Sequence, residues 1–494
     1  MYYLGLDYGG TQIKAALYDE DGVERAIAMR PSQVETPAPQ IVEIDMETLW
    51  HSASLCIRDL LQEFNPKDIV GISTSSHGKG LYLLDDKGQP CGKGILSADT
   101  RSIELLNSWR RQERDQALYP YILQELWPPH PLVLLGHLQQ HDAQRLERSR
   151  HICMGHDYLR YRLSGEIAAE RSNISGSGLV DIRKRDYSTE VLEQTELQSI
   201  RSKLPPILDS AALAGRVHQE ASQATGLLQG TPVYGGFFDV VGAAVASGLR
   251  SENDYHAIMG TWSISTCLSS QIITNSSTNS SVELPKIPWG NYALPGMYFV
   301  HDGSPSSASN LNWFLEQFSS KPPDFSHNDT ILQRMSPVDN QLFFYPYLYA
   351  SNLGNPGTLI GLQSHHCYDD ILYAVYEGIL MAHMVHMEKL KAIQALPRRL
   401  LLTGGPSQSR PWMQMFADFS GLSVLTLQGT KESGCKGAAM AAAVGGGQFP
   451  DFPAAMAAWV HYHEPLSPVS ERRQDWKAKY QRYLEIGRHI AQKY

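Results

Sequence analysis

No run of about 18 apolar residues occurs anywhere in the 494 residues, so a membrane-spanning helix is not expected. Cysteine is scarce: six residues, at 56, 91, 153, 267, 367 and 435, share no paired spacing. That argues against a disulfide framework or a zinc site and fits a reducing cytosol. Positive charge is also in short supply, with 42 Lys and Arg against 51 Asp and Glu and a net charge of −9. No basic stripe offsets the balance, which leaves no general attraction to nucleic acid or to acidic membranes. The chain enters a strand at once, with no space for a charged leader and apolar signal segment, so a cytoplasmic location is expected. A Walker-type loop is absent too. Gly78-Lys79 invites that reading, but G-x-x-x-x-G-K-[ST] fails because Ser73 and Gly80 occupy the required positions. The 18 histidines form no clustered ligand set, which counts against a metal hydrolase. His383 and His386 sit one turn apart on a helix without a third ligand, and read as packed or solvated side chains.

What is present is an ordinary globular composition, 42% hydrophobic and 19% charged, in a chain long enough for two or more domains. Tyr3 to Tyr18 reads Y-L-G-L-D-Y-G-G-T-Q-I-K-A-A-L-Y: two strand-type runs joined by Gly9-Gly10-Thr11, a hairpin signal. Asp7 stands at the end of the first run. Turn amides and a hydroxyl can donate to phosphate oxygens, and a carboxylate beside them calls for a cation such as Mg²⁺ in between. A plain hairpin with a turn aspartate is the other reading of this stretch.

Met46, Trp50, Ala53, Ile57, Leu60 and Phe64 recur at helical spacing, and Ile69 to Ile72 form a buried strand opening into Ser75-Ser76-His77-Gly78-Lys79-Gly80. Residues 100–230 are largely helical in composition, with Pro-rich breaks and a turn-rich loop at Asn173 to Gly178. In T-P-V-Y-G-G-F-F-D-V-V-G, Val233 and Tyr234 end a strand, two glycines turn the chain, and Asp239 opens a small-residue helix. Alone, Asp239 reads as a cap or dipole partner, although the glycines before it permit close approach of a ligand. His256 to Cys267, with Gly260-Thr261 at its centre, repeats the first hairpin half a chain later and suggests an internal duplication. A Ser/Asn/Thr-rich surface loop, Ser269 to Ser281, follows. Tyr368 to Leu396 is a long helix. Leu400 to Thr403 is a buried strand ending in Gly404-Gly405 before a helix with Trp412 and Met415, a unit suited to a nucleotide or simply a tight turn. Glu432 to Ala443 is a small-residue helix able to pack closely, and 471–494 an amphipathic one.

Together these segments resemble the FGGY carbohydrate kinase family over nearly the whole chain. The resemblance is carried by G-L-D-Y-G-G-T at 5–11, S-S-H-G-K-G at 75–80, S-A-D-T-R at 97–101, H-D-Y-L-R-Y-R-L-S-G-E at 156–166, G-G-F-F-D at 235–239, M-G-T-W at 259–262, G-T-L-I-G-L at 357–362, A-V-Y-E-G-I at 374–379 and T-G-G-P-S-Q-S at 403–409. It implies an α/β fold of two actin-like, ribonuclease-H-like ATPase domains with a cleft between them. Residues 1–249 would lie on the sugar side and 250–494 on the ATP side. It also implies that Asp239 is the catalytic base and helps Asp7 hold Mg²⁺, with ATP met by Gly9, Gly10, Thr11, Gly260, Thr261, Gly404, Gly405 and Gln408. Ser76, His77, Asp99, Arg101 and Asp239 would contact or lie near the sugar. The family's first signature is broken here, since Pro131 is followed by Leu134 and His137 where the pattern has Lys and Trp. Within the family, S-S-H-G-K-G-L, I-L-S-A-D-T-R and G-G-F-F-D-V-V are most similar to members acting on L-xylulose or 3-keto-L-gulonate. D-xylulose, L-ribulose, glycerol and erythritol are the other acceptors to test. The implied partners are a small sugar and ATP, with neither nucleic acid nor membrane; a homodimer is left open. A nonenzymatic actin-like ATP-binding module and an inactive sugar sensor are the rival classes; Asp239 in its glycine setting counts against the first, and the retained Asp7, Thr11 and Asp239 against the second.

Overall fold

The computed structural model describes residues 1–274, 284–319, 324–349, 355–393, 397–429 and 432–491. Its first half is built on a sheet whose opening strands, β1 (Tyr2–Tyr8) and β2 (Gln12–Asp19), form the expected hairpin. β3 (Glu24–Pro31) extends it antiparallel. Asp45 then caps α1 (Met46–Leu60) by accepting from the Thr48 amide, and the apolar stripe Leu49, Ala53 and Ile57 packs on Leu4, Leu6, Ala15 and Leu17. β4 (Ile69–Ser76) returns parallel to β1, and β6 (Pro232–Phe238) lies parallel to β4, with β5 (Leu213–Arg216) at the edge. Between β4 and β5 runs a helix-rich excursion that includes α2 (Gly155–Ser164) and several two- or three-residue strand pairs absent from the sequence reading. The Asn173 to Gly178 segment is not an open loop: a helical turn, Arg171–Ile174, passes into a 3₁₀ turn, Ser175–Ser177.

β6 also departs from expectation. The strand continues through Gly235-Gly236 to Phe238 rather than ending at Tyr234, and its register on β4 slips between Tyr234 and Phe237. Gly236 has φ 97°, and a Cβ there would stand 1.9 Å from the Thr74 carbonyl oxygen. The two glycines are thus a bulge pressed onto β4, which re-aims the strand end. Directly after it, α3 (Asp239–Ala246) begins.

The second half repeats this order. β7 (Asp254–Met259) and β8 (Ser263–Ser269) form a hairpin, and β10 (Tyr298–Ser304) adds antiparallel, with β9 (Trp289–Asn291) at the edge. β11 (Arg399–Thr403) and β12 (Ser423–Thr426) then add parallel on the other side. β7, β8, β10, β11 and β12 therefore match β1, β2, β3, β4 and β6 in order and direction, the duplication that the two Gly-Thr hairpins suggest. α4 (Ala308–Phe318) follows β10, and α5 (Tyr368–Lys391) precedes β11. On α5, His386 bonds Asp302 and Ser304 and His383 bonds Ser307, so both are packed histidines. The Leu396 end predicted for this helix, and residues 275–281 of the predicted surface loop, lie outside the described residues. Among the described residues no helix is long and apolar enough to cross a membrane, and none of the six cysteines is paired.

One helix crosses over. α6 (Ser433–Gly445), from the chain's last quarter, packs on the first sheet, where Cys435, Ala439 and Ala442 join Tyr3, Ala16, Phe237 and Val241. Its approach depends on missing side chains: a Cβ on Gly5 would lie 1.9 Å from the Cys435 carbonyl oxygen, and one on Gly437 would lie 2.2 Å from that of Gly242 on α3. Replacing Gly5 by alanine is therefore expected to cost at least the 1–3 kcal/mol of ordinary overpacking, because backbone must move. Gly176→Ala, with open space around its Cα, should change stability little. Urea unfolding of the two variants checks this; equal midpoints would refute the close-packing argument.

Candidate active site

Tyr3, Gly5 and Asp7 share the face of β1 that α6 covers, by strand alternation. This brings Asp7 to the beginning of α6: a Cβ on Gly434 would stand 2.6 Å from the Asp7 carboxyl carbon. Lys14 of β2 is tied to Glu432, just before α6, at 2.5 Å. Asp7 Oδ1 is buried without a hydrogen bond of normal geometry, and the hydroxyl of Ser75, its register partner on β4, is the neighbouring group that favours its ionised form. Phe237 is paired with Ser75 and Phe238 with Ser76, so Asp239 follows at the end of the third parallel strand. Asp7 and Asp239 therefore flank Ser75 at the carboxyl ends of β1, β4 and β6, the edge of an open parallel sheet where ligands bind.

Asp239 does not cap its helix. Its carboxylate accepts from its neighbour Val240, and the helix N-cap is Phe238, whose side chain makes no capping bond. Burial raises the Asp239 carboxyl to about 8, reinforced by the negative charge of Asp7 and opposed by the Val240 amide and Lys79. Burial also raises Asp7, with Lys14 opposing it. Each negative charge disfavours the other, so the two carboxyls titrate as a coupled pair. A residue set missed by the motif reading fixes the turn before it. Ser172 Oγ accepts from the Phe238 amide at 3.0 Å and donates to Glu170 at 2.6 Å, and Glu170 accepts further bonds from Asn173 and Ser210. Glu170 is fully buried, and burial lifts it to about 7 despite those bonds.

The other predicted residues divide. His77 is buried, and its Nδ1 meets the Gly78 carbonyl at 3.2 Å. Burial lowers its pKa, so the ring is neutral, Nδ1–H donates, and the unpartnered Nε2 is a free acceptor. Ser76 is occupied within the fold: its hydroxyl accepts from the His156 amide at 3.0 Å, joining β4 to α2. Asp99 and Arg101 are engaged with each other. Asp99 is fully buried, Arg101 reaches both its oxygens, Val42 donates to one of them, and Arg101 also reaches Glu43 at 2.8 Å. These two therefore set loop geometry, which the next residue extends: Ser102 holds the Pro128 carbonyl at 2.6 Å. Leu134 and His137, the departures from the family pattern, lie on helix Pro131–His141, with Leu134 buried.

Lys79 was not assigned by the sequence reading beyond the rejected phosphate loop. Its backbone is left-handed, φ 63°, a conformation costing roughly 1–2 kcal/mol for a residue with a Cβ. Its ammonium lies 5.3 Å from the centre of the Trp127 ring, and Trp127 in turn lies 6.5 Å from Trp262 of the second half.

In that second half, a Cβ on Gly404 would stand 2.2 Å from the Met259 carbonyl oxygen, so the turns after β7 and β11 meet. The Gly260 carbonyl accepts from Ala308 at the start of α4. Gly260, Thr261 and Gly405 line one groove of about 380 Å³ with Trp313, Glu316 and Tyr349, a size suited to a cofactor-scale ligand. Gln408 is exposed and does not line it. Gly10 and Gly405 have neither positive φ nor any atom within 4 Å of a Cβ position, which leaves their surroundings open to a ligand. Among the described residues no group of three or more His, Cys, Asp or Glu could hold a metal alone. An orphaned Asp7 oxygen facing a second, repelled carboxylate nonetheless fits Mg²⁺, which binds through one or two carboxylates plus substrate phosphates.

Comparison with known proteins bears on the same elements. Residues 2–246 match the N-terminal domain, and residues 256–446 the C-terminal domain, of the FGGY family of carbohydrate kinases. A probable L-xylulose kinase of Pasteurella multocida is 37% identical over 489 residues, covering 98% of each chain. The L-xylulose/3-keto-L-gulonate kinase of Escherichia coli is 37% identical over 98% of this chain and 96% of its own. The fold is shared with the crystal structure of xylulose kinase from Rhodospirillum rubrum, at TM-score 0.86 and 23% identity over 99% of both chains. With both domains matched and both sheets in the same arrangement, this chain belongs to the FGGY family of carbohydrate kinases.

Proposed function

We propose that this carbohydrate kinase transfers the γ-phosphoryl group of ATP to a primary hydroxyl of L-xylulose, and of 3-keto-L-gulonate as its acidic counterpart. The observation that carries the acceptor is the 37% identity, over nearly the full chain, to two relatives named for those sugars. The chemistry is supported by the pair Asp7 and Asp239 at the ends of the two parallel strands that flank β4.

In this reading Asp239, ionised once a bound Mg²⁺ would offset the repulsion from Asp7, accepts the hydroxyl proton as that oxygen bonds to the γ-phosphorus and the bond to the ADP oxygen breaks. His77 Nε2 accepts from a sugar hydroxyl. Asp7 and Asp239 would hold Mg²⁺, which when bound with the polyphosphate offsets charge on the transferring group. The amides of Gly10 and Thr11 and the Thr11 hydroxyl face the terminal phosphates, the Gly9 amide being donated to the Gln12 carbonyl at 2.9 Å, while Gly260, Thr261, Gly404 and Gly405 carry the nucleotide. Glu170 and Ser172 keep Asp239 in place. Closure of the two halves would exclude the water that otherwise hydrolyses ATP.

Two outcomes check this assignment. Asp239→Asn should retain binding of both substrates yet lose about a hundred- to ten-thousand-fold in kcat; near-normal turnover removes the base. ADP release with MgATP across L-xylulose, 3-keto-L-gulonate, D-xylulose, L-ribulose, glycerol and erythritol identifies the acceptor. Strong preference for one of the last four keeps the mechanism and discards the proposed sugars.

A third outcome concerns stability. The Asp239 carboxyl is raised in the folded state to about 8, against about 4 in an unfolded chain. Above the unfolded value the unfolded state loses the proton first, so the native state is progressively disfavoured as pH rises to the folded value. The melting temperature of Asp239→Asn minus that of the wild type, both without ligands, should therefore widen between pH 5 and 8. A difference independent of pH would show that the carboxyl is not held protonated.

A further inference from the structure

Lys79 is a firmly placed charge beside Asp239 that the phosphoryl transfer leaves unused. Three features fix it. Gly78 cannot carry a side chain without meeting Phe238 at 2.7 Å, and Gly80, at φ 77°, would meet the Ile95 carbonyl oxygen at 2.5 Å. The Gly80 amide donates to Pro129 at 2.9 Å, which binds this loop to the one bearing Trp127. Lys79 itself is left-handed between these glycines, so its direction is imposed by the backbone. Strain of this kind gathers at functional sites.

The ammonium so placed is half-buried, lies over Trp127 at 5.3 Å, and among the described residues makes neither a hydrogen bond nor an ion pair. Among the described residues Asp239 is the counter-charge that acts on it. His130 is buried and His301 half-buried, and both are neutral, each held low first by desolvation and then by Lys79. Gly78, beside Lys79, packs against Phe238, the residue before Asp239, whereas Asp7 is paired with Lys14 across the hairpin and lies against Gly434. Lys79 thus belongs to the Asp239 side of the cleft, beside His77, and not to the phosphate turn at 9–11.

A neutral ketose seated against Asp239 and His77 leaves this ammonium partly desolvated and unpaired. A ketose ending in a carboxylate gives it a partner, and a site built around such a group discriminates strongly against an analogue lacking it. We infer that Lys79 is the specificity determinant for an acidic acceptor, pairing with the terminal carboxylate of a keto-sugar acid such as 3-keto-L-gulonate. The inference rests on the ketose-kinase reading above and deepens it, because it assigns the acid and neutral acceptors to one site distinguished by one residue.

The test compares kcat/KM for 3-keto-L-gulonate and L-xylulose, with MgATP, in the wild type, Lys79→Gly, Lys79→Met and Lys79→Arg. Glycine is native-like at a left-handed position, which protects the experiment from a misfolded variant; thermal melts confirm it. The ratio of acid to neutral acceptor should fall at least tenfold in the Gly and Met variants, mainly through KM, and recover in Lys79→Arg. Calorimetric binding of 3-keto-L-gulonate without ATP should weaken in step and lose its salt dependence. A ratio within threefold of wild type overturns the inference, and so does an equal loss on both sugars, which would mean that Lys79 acts on Asp239 or the phosphates. If the wild type phosphorylates neither sugar, the acceptor reading itself fails and the inference falls with it; phosphorylation with an unchanged ratio fails the inference alone.

Discussion

Everything in the cleft depends on how closely one late helix can approach the first strand. Helix 433–445 lies on the first sheet with backbone nearly touching backbone, at Gly5 against Cys435 and at Gly437 against Gly242. A single methyl group at either point would push the helix outward. That contact also carries Gly434 to the carboxylate of Asp7 and Glu432 to Lys14. Tight packing of this type transmits displacement because interiors have little free volume to absorb it. The placement of the acidic residue on β1 is thus set by residues more than four hundred positions away.

Around that contact the cleft is arranged by charge rather than by covalent chemistry. Two carboxyls stand at the ends of the strands on either side of β4, and burial raises the pKa of both. The nearby histidines at 77, 130 and 301 are all kept neutral by burial. A low-dielectric cleft with few mobile charges is one in which fixed dipoles and a bound cation act strongly on a phosphoryl group. Supporting residues such as Glu170 and Ser172 secure the backbone before Asp239 rather than touching a ligand. They explain how a strand interrupted by a bulge still delivers a carboxylate to a fixed position.

The sequence is legible where local rules and burial agree. The two Gly-Thr hairpins, the helix at 46–60 and the Gly404-Gly405 turn follow from apolar periodicity and turn residues, and the repeated hairpin leads directly to the repeated sheet. Local pattern misleads at Gly235-Gly236, because a bulge and a turn draw on the same residue type and only the neighbouring Thr74 carbonyl decides between them. At Ser76, Asp99 and Arg101 it is silent about the internal bonds those side chains make. Motif position puts them close to the sugar, but their hydrogen bonds are made inward, to His156, Val42 and Glu43. Glu170 and Ser172 carried no signal beyond a polar stretch, since their importance arises only when β6 folds beside them. Lys79 could have been found by asking why a lysine stands between two glycines in an otherwise small-residue loop.

The crossover of helix 433–445 has a consequence for the order in which the chain can fold. As synthesis proceeds from the N-terminus, the hairpin emerges early, yet the element covering one face of its sheet lies roughly 425 residues downstream. At about 5–20 residues per second, that face waits roughly 20 to 85 s for its partner. Tyr3, Ala16 and Phe237 are exposed in the interim, on strands able to pair with other chains. The nascent N-terminal half is therefore a natural client for chaperones, and truncations ending before residue 433 leave its sheet uncovered rather than yielding a self-sufficient domain.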